Sequence, residues 1–115
     1  MQLEVRKYLF DIEQAAALLL QFVAGKTVDD YLQQPLLQSG VERQFEIIGE
    51  AINQLAKLDL NVARQITDYQ KIISFRNILI HGYAEVDDLL VWDIVETRLP
   101  VLYQEIQKLS ASAGE

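Results

Sequence analysis

Apolar residues recur every three or four positions along most of the chain, with polar residues between them. In residues 3–24, for example, Leu9, Ile12, Ala16 and Leu19 follow this spacing, which places them on one face of an α-helix. No segment alternates apolar and polar residues over more than four positions, as a half-buried strand would. The sequence therefore predicts an all-α protein.

Residues that favour helix ends divide this pattern into elements. Gly25 suits the end of the first helix, and Thr27 suits the N-cap of a short one. Pro35 fits the first turn of a long helix, and Asn61 is a candidate cap for a short helix near residues 62–67. The predicted long helices are 3–24, 35–58, 69–81 and a last helix that is capped by Asp87 or Asp88 and runs, with a kink at Pro100, to about Leu109.

The length and composition indicate a single globular domain. The 115 residues suffice for one domain, 1–115, in which we expect residues 110–115 to form a frayed tail. Half of the residues (50%) are hydrophobic, so a core can form, and we expect an antiparallel up-and-down bundle of four to five helices. The chain has no cysteine, which excludes a disulfide framework, a cysteine nucleophile and a cysteine-ligated zinc site.

The N-terminal region does not resemble a targeting signal. The first seven residues carry charges of both signs, and the apolar run that starts at Ala15 reaches only to about Ala24, too short to span a bilayer. We therefore expect a cytoplasmic protein with no membrane association. The formal net charge is −7, which taken alone argues against a nucleic-acid binder, because phosphate binding depends on Lys and Arg.

One segment departs from the usual amphipathic pattern. Residues 69–81 read YQKIISFRNILIH, and their second half is apolar on nearly every side. Such a helix needs cover on every face, which a small bundle seldom supplies, so the pattern favours a partner subunit. The same segment contains Arg76, Asn77 and His81, whose burial costs stability unless they pair with each other or with a ligand.

Helical spacing relates these three polar side chains. Asn77 and His81 are four residues apart, so they share a face and could form a hydrogen bond that fixes the tautomer of His81. Arg76 and His81 are five residues apart, which is about 140° around a regular helix. They converge only if the helix unwinds near Gly82, or if a second copy of the helix packs across a two-fold axis.

Structural roles for the same residues are also open. A histidine at a helix C-terminus is favoured by the helix dipole, and Arg76 could pair with Glu46 or Glu50 of the preceding long helix. These two glutamates share one helix face, where a solvated surface is a more common role than a metal site. From the residues alone, a structural role for Arg76 and His81 is more common than a catalytic one.

Three stretches of the chain carry a recognisable pattern. They are VERQFEIIGEA at 41–51, FRNILIHGY at 75–83, and VDD at 86–88 leading to VWDIV at 91–95. In order and spacing they resemble the HepT-like toxins of the HEPN superfamily, over nearly the whole chain. The family motif is an Arg, a polar residue, three further residues, a His, any residue and a Tyr, and it is matched by Arg76, Asn77, His81 and Tyr83.

This resemblance implies both an architecture and an activity. It implies a four- to five-helix bundle that forms a homodimer through the motif helix, and a metal-independent endoribonuclease without a cofactor. The catalytic residues would be Arg76, Asn77 and His81. It also implies a partner antitoxin of the minimal nucleotidyltransferase type, which can transfer AMP to the motif tyrosine, here Tyr83.

The motif residues fit RNA cleavage without a metal. RNA carries its own nucleophile, the 2′-hydroxyl, so the protein must supply a base, an acid and a cation for the phosphorane. Histidine gains and loses protons near neutral pH, and the planar guanidinium of Arg76 matches phosphate oxygens. Asn77 could orient His81 or donate to a phosphate oxygen. One histidine cannot readily serve as both acid and base in one step, whereas a dimer would supply two.

Two other functions fit the same sequence. A non-catalytic helical subunit could bind the nucleotidyltransferase and position a nucleotide with Arg76 and His81. A dimeric scaffold could use the motif only as an internal polar network.

The position of the charges along the chain says more about a possible RNA substrate than the net charge does. Residues 57–83 hold four cationic and two anionic side chains, a net charge of +2, so the rest of the chain carries −9. The net charge of −7 therefore does not exclude an RNA substrate. It predicts weak general affinity for RNA and a strong dependence on salt.

Overall fold

The computed structural model describes residues 1–82 and 85–113 of the chain. Within these ranges the chain forms seven helices and no strand. Their bounds are α1 Leu3–Val23, α2 Val28–Gln33, α3 Pro35–Leu58, α4 Leu60–Ala63, α5 Tyr69–His81, α6 Asp88–Thr97 and α7 Leu99–Ala113. None of these helices combines the length and the apolar character needed to cross a bilayer. The helices, together with the absence of strands in the described ranges, confirm the predicted all-α bundle.

The long helices bury one shared core. α1 packs mainly against α3 and α7, and α5 packs mainly against α3. Leu9, Ile12 and Leu19 of α1 join Ile48 and Ile52 of α3 in the core cluster, and all five side chains are almost fully buried. Burial of side chains of this size contributes about 1.5–3 kcal/mol each. α3 is therefore the central helix on which α1 and α5 both lie.

Side chains cap the N-termini of α2 and α6 at predicted positions. The Thr27 hydroxyl accepts a hydrogen bond from the Asp30 backbone N–H (3.2 Å), and the Asp30 carboxylate accepts one from the Thr27 N–H (2.9 Å), which completes a capping box for α2. The Thr27 backbone N–H, and after it the hydroxyl, lowers the pKa of Asp30. Asp87 caps α6 by accepting from the backbone N–H groups of its first turn.

The short helix after α3 begins earlier than predicted. α4 starts at Leu60, and its N-cap is Asp59, whose carboxylate accepts a hydrogen bond from the Val62 N–H at 3.2 Å. Asn61, the predicted cap, is therefore already inside the helix. Both residues have short polar side chains that favour caps, so local sequence alone does not distinguish them.

The predicted last helix is in fact two helices, and this corrects its boundaries. The break between α6 and α7 falls at Arg98, where the prediction had one helix bent at Pro100. Proline lacks an N–H and clashes with the carbonyl four residues earlier, so a helix can begin near it but does not easily run through it. α7 then continues past Leu109, which is buried, to Ala113. Residues 110–113 are thus helical rather than frayed.

An aromatic contact attaches α2 to α6. The rings of Tyr31 and Trp92 lie with their centroids 5.2 Å apart, and the Trp92 indole N–H donates to Glu96 at 2.6 Å. Burial, and after it the negative charges of Glu42 and Asp88, raises the pKa of the Tyr31 phenol. The contact joins α2 to α6, which is the next helix after α5 in the described part of the chain.

Candidate active site

The motif helix α5 is only partly covered by its own chain. Phe75 and Leu79 are buried, and the ring of Phe75 meets that of Phe45 edge-on at 5.3 Å. In contrast, Ile78 and Ile80 are 50% and 38% exposed. One chain therefore leaves part of this apolar helix open to solvent.

Gly49 of α3 lies directly against the motif arginine of α5. A Cβ atom added to Gly49 would overlap the Cβ of Arg76 and lie 2.8 Å from its Cγ. Only a residue without a side chain allows this contact. The glycine thus makes room for the aliphatic stem of the motif arginine.

The guanidinium of Arg76 is held by two neighbours. Its Nη2 atom forms an ion pair with the Glu50 carboxylate at 2.6 Å, and its Nη1–H donates to the Asn77 side-chain oxygen at 2.8 Å. The Nε atom is buried and has no hydrogen-bond partner among the described residues. Glu50 also accepts from Gln54 at 3.0 Å. Of the two candidate partners for Arg76, Glu50 is the one in contact, whereas Glu46 lies 3.7 Å from Arg43.

Asn77 and His81 do not pair in the part of the chain that the structure describes. The Asn77 oxygen accepts from Arg76 instead, and His81 is exposed in the last turn of α5. The helix stays regular through His81, and the Gly82 N–H donates to the Ile78 carbonyl at 2.8 Å. Arg76 and His81 therefore occupy different faces within one copy. Tyr83, the expected AMP acceptor, lies outside the described residues.

A cavity of about 250 Å³ opens beside Arg76 between α1, α3 and α5. Its charged lining residues are Asp11, Arg43, Glu46, Glu50 and Arg76. Tyr8 contributes an aromatic wall. Sequence reasoning missed Tyr8 and Asp11 as neighbours of the site, because only the packing of α1 on α3 brings them there. Their spacing of three residues shows that they share a helix face, but not what that face meets.

A second cavity, of about 230 Å³, lies between α5, α6 and α7. Its lining is mostly apolar, with Phe75 and Leu102 among its walls, and Lys71 and Arg98 add charge. Among the residues that line it there is no member of the motif. In the described ranges, no group of three or more histidine, aspartate or glutamate side chains is arranged to hold a metal ion. The cavity beside Arg76 is therefore the one that belongs to the candidate site.

Comparison with known sequences identifies similar proteins. The sequence model of the family described as "Ribonuclease HepT-like" matches residues 12–109. The "Probable ribonuclease HepT" of Thermococcus cleftensis is 31% identical over 104 residues, which cover 90% of this chain and 94% of that protein. A "Putative RNase" of Methanocaldococcus jannaschii is 30% identical over 92% of this chain and 87% of that protein.

One similar protein is much longer than this chain. The "Gamma-glutamylcyclotransferase and putative RNase" of Methanocaldococcus jannaschii is 34% identical over 95% of this chain but only 49% of that protein, so the chain spans about half of its length. No solved structure matches the chain. The family's sequence model covers most of the chain, and relatives of similar length align over nearly all of it. The chain therefore belongs to the ribonuclease HepT-like family.

Proposed function

We propose that this protein is an endoribonuclease that cleaves RNA without a metal ion. Membership of the ribonuclease HepT-like family carries the proposal, and the motif on α5 supplies the chemistry. In the reaction the ribose 2′-oxygen loses its proton and bonds to phosphorus. The bond from phosphorus to the 5′-oxygen breaks, and that oxygen takes up a proton. The products are a 2′,3′-cyclic phosphate and a free 5′-hydroxyl.

The motif residues have distinct roles in this proposal. His81 transfers protons, because histidine changes protonation near neutral pH, and its exposed position leaves it accessible to RNA. Arg76 donates to the phosphate oxygens and stabilises the negative charge that develops there. Asn77, whose oxygen accepts from Arg76, orients the guanidinium rather than the imidazole.

A second copy of the chain completes the site. Arg76 and His81 lie on different faces of a regular helix, so one copy does not bring them to the same phosphate. A two-fold pairing of α5 helices would place His81 of one protomer near Arg76 of its partner, and would supply one histidine as base and another as acid. The half-exposed Ile78 and the exposed Ile80 favour such a pairing, because it would bury apolar area.

The resemblance to the toxins extends the proposal to regulation. We propose that the protein is the toxin of a toxin–antitoxin pair and that a nucleotidyltransferase antitoxin attaches AMP to Tyr83. The added bulk and negative charge would repel an RNA phosphate from the neighbouring cleft. After incubation with the partner enzyme and ATP, mass spectrometry should detect one added AMP on the peptide that contains Tyr83. An unmodified peptide would exclude this regulation for the pair tested.

The cleavage itself is tested with purified protein and RNA in the presence of a metal chelator. We expect His81→Ala to lower the cleavage rate by about 100-fold or more, which is typical of losing a general acid or base. Gln70→Ala is the matched control, since Gln70 is exposed on the same helix and has no part in the chemistry. Its rate should equal that of the wild type.

Two results would count against the proposal. If His81→Ala cleaves RNA as fast as the wild type, the assigned chemistry is wrong. If the wild type leaves RNA intact but binds the nucleotidyltransferase, the alternative of a non-catalytic partner subunit that positions a nucleotide is favoured.

A further inference from the structure

We infer that Glu50 and Gly49 of α3 are positioning residues for Arg76, and that they hold its guanidinium ready for a phosphate. The inference rests on the proposed function, because it concerns how the arginine reaches the scissile phosphate. Neither residue touches the RNA in this arrangement. α3 instead acts on the reaction through the motif arginine of α5.

The contacts along the Arg76 side chain fix it from stem to tip. Gly49 accommodates the Cβ and Cγ atoms, where any larger residue would collide with them. At the tip, Glu50 takes one donor of Nη2 at 2.6 Å, and Asn77 takes one donor of Nη1 at 2.8 Å. An arginine that is otherwise free to occupy many rotamers is thereby held in one of them.

The Arg76 guanidinium keeps free N–H donors for a ligand. A guanidinium has five N–H donors, of which Glu50 and Asn77 occupy two. The Nε–H is buried without a partner. One N–H therefore remains on each terminal nitrogen, which suffices for a paired contact with two phosphate oxygens. The ion pair with Glu50 need not break when RNA binds.

Because Glu50 is negatively charged, its removal should affect the cleavage rate and the affinity for RNA differently. Its carboxylate lies next to the point where the phosphate would bind, and the side chain is 44% exposed, so it weakly repels RNA in the ground state. Its orientation of Arg76 matters most in the transition state, where the phosphorane charge must be met in a fixed geometry. Removal of Glu50 should therefore lower kcat without weakening the binding of RNA.

The test compares three variants of α3 and α5 in the full-length protein. We expect Glu50→Ala to lower kcat by about 10- to 100-fold, which is typical of a misplaced catalytic group. RNA affinity, measured in a His81→Ala background that does not cleave, should stay equal or become tighter. Glu50→Gln keeps an acceptor oxygen at the same position, so it should restore part of the lost rate. Arg76→Ala should lower both the rate and the affinity.

Two controls show whether the effect runs through Arg76. Glu42→Ala removes a carboxylate of the same helix that is not among the residues lining this cavity, and it should leave kcat unchanged. In an Arg76→Ala background, Glu50→Ala should have no further effect on the rate. Thermal unfolding of each variant shows that the loss does not come from a misfolded protein.

The possible outcomes separate this inference from the proposed function. If Glu50→Ala cleaves at the wild-type rate while Arg76→Ala is impaired, Glu50 does not position the arginine and the inference is wrong. The same holds if Glu50→Ala and Glu42→Ala lose equal activity, or if Glu50→Ala slows the Arg76→Ala variant further. If neither Arg76→Ala nor His81→Ala affects cleavage, the proposed function itself fails.

Discussion

Gly49 and Arg76 illustrate how a packing residue and a functional residue share one contact. Glycine in a helix interior costs roughly 1 kcal/mol relative to alanine. That cost is offset here because the missing side chain lets the stem of Arg76 lie directly against α3. The stability of the α3–α5 pair and the orientation of the guanidinium therefore depend on the same position.

Gly49→Ala should lower the stability of the fold. The new Cβ would overlap Arg76, and overpacking of this kind costs about 1–3 kcal/mol, which exceeds the helix propensity gained. We expect a net loss in the free energy of unfolding, measured by urea denaturation. Cleavage activity should fall as well, because the arginine is displaced.

The matched control is Gly40→Ala in the same helix. There the added Cβ would lie 3.4 Å from the ring of Phe22, an ordinary van der Waals contact, so the gain in helix propensity should leave the protein equally stable or stabilise it by up to about 1 kcal/mol. A Gly49→Ala protein as stable as Gly40→Ala would contradict the close contact with Arg76.

The sequence shows which polar residues matter but not how they pair. Arg76, Asn77 and His81 stand out because they interrupt an apolar run. The choice between Glu46 and Glu50 as the partner of Arg76 could not be made, because both lie on one face of α3, a single turn apart. It depends on how α3 is rotated against α5, and only tertiary packing determines that rotation.

At the scale of elements, the boundaries of α3 and α5 were predicted to the residue because strong local signals mark them. Pro35 opens α3, and Gly82 follows the end of α5. The break between α6 and α7 was not predicted, since Pro100 is compatible both with a kinked helix and with the first turn of a new one. Burial of Leu99 in the core accompanies the start of a separate α7.

The exposed side of α5 leads to a prediction about assembly. If two copies pair through this helix, Ile78→Asp should convert the dimer to a monomer of 13.2 kDa, because a carboxylate would be buried without a partner at the interface. Light scattering coupled to gel filtration measures the mass. Ile78 is 50% exposed in one chain, so the fold of the monomer should survive the change.

Leu36→Asp provides the control for this prediction. Leu36 is also apolar and is 87% exposed, but it lies at the start of α3. Its replacement should leave the mass unchanged. A dimer that persists in Ile78→Asp, or that is lost equally in Leu36→Asp, would show that α5 is not the interface.

At the scale of the whole molecule, the fold gives Arg76 charged neighbours that the charge count along the sequence does not predict. Residues 57–83 carry a net charge of +2, which suggests a basic approach to the motif. Folding, however, brings three carboxylates (Asp11, Glu46 and Glu50) but only one further cation (Arg43) to the lining of the cavity beside Arg76. The surroundings of the arginine are thus more acidic than its sequence neighbours, which favours a short contact with RNA over an extended one.

The fit of Gly49 against Arg76 also constrains how such a chain can evolve. While the arginine is present, a β-carbon at position 49 collides with it, so selection for activity also maintains the glycine. A lineage that loses the arginine would be freed from this constraint, and alanine at position 49 would then add helix propensity. An alanine at position 49 would thus be expected in descendants that have lost the arginine and its chemistry, but not in active ones.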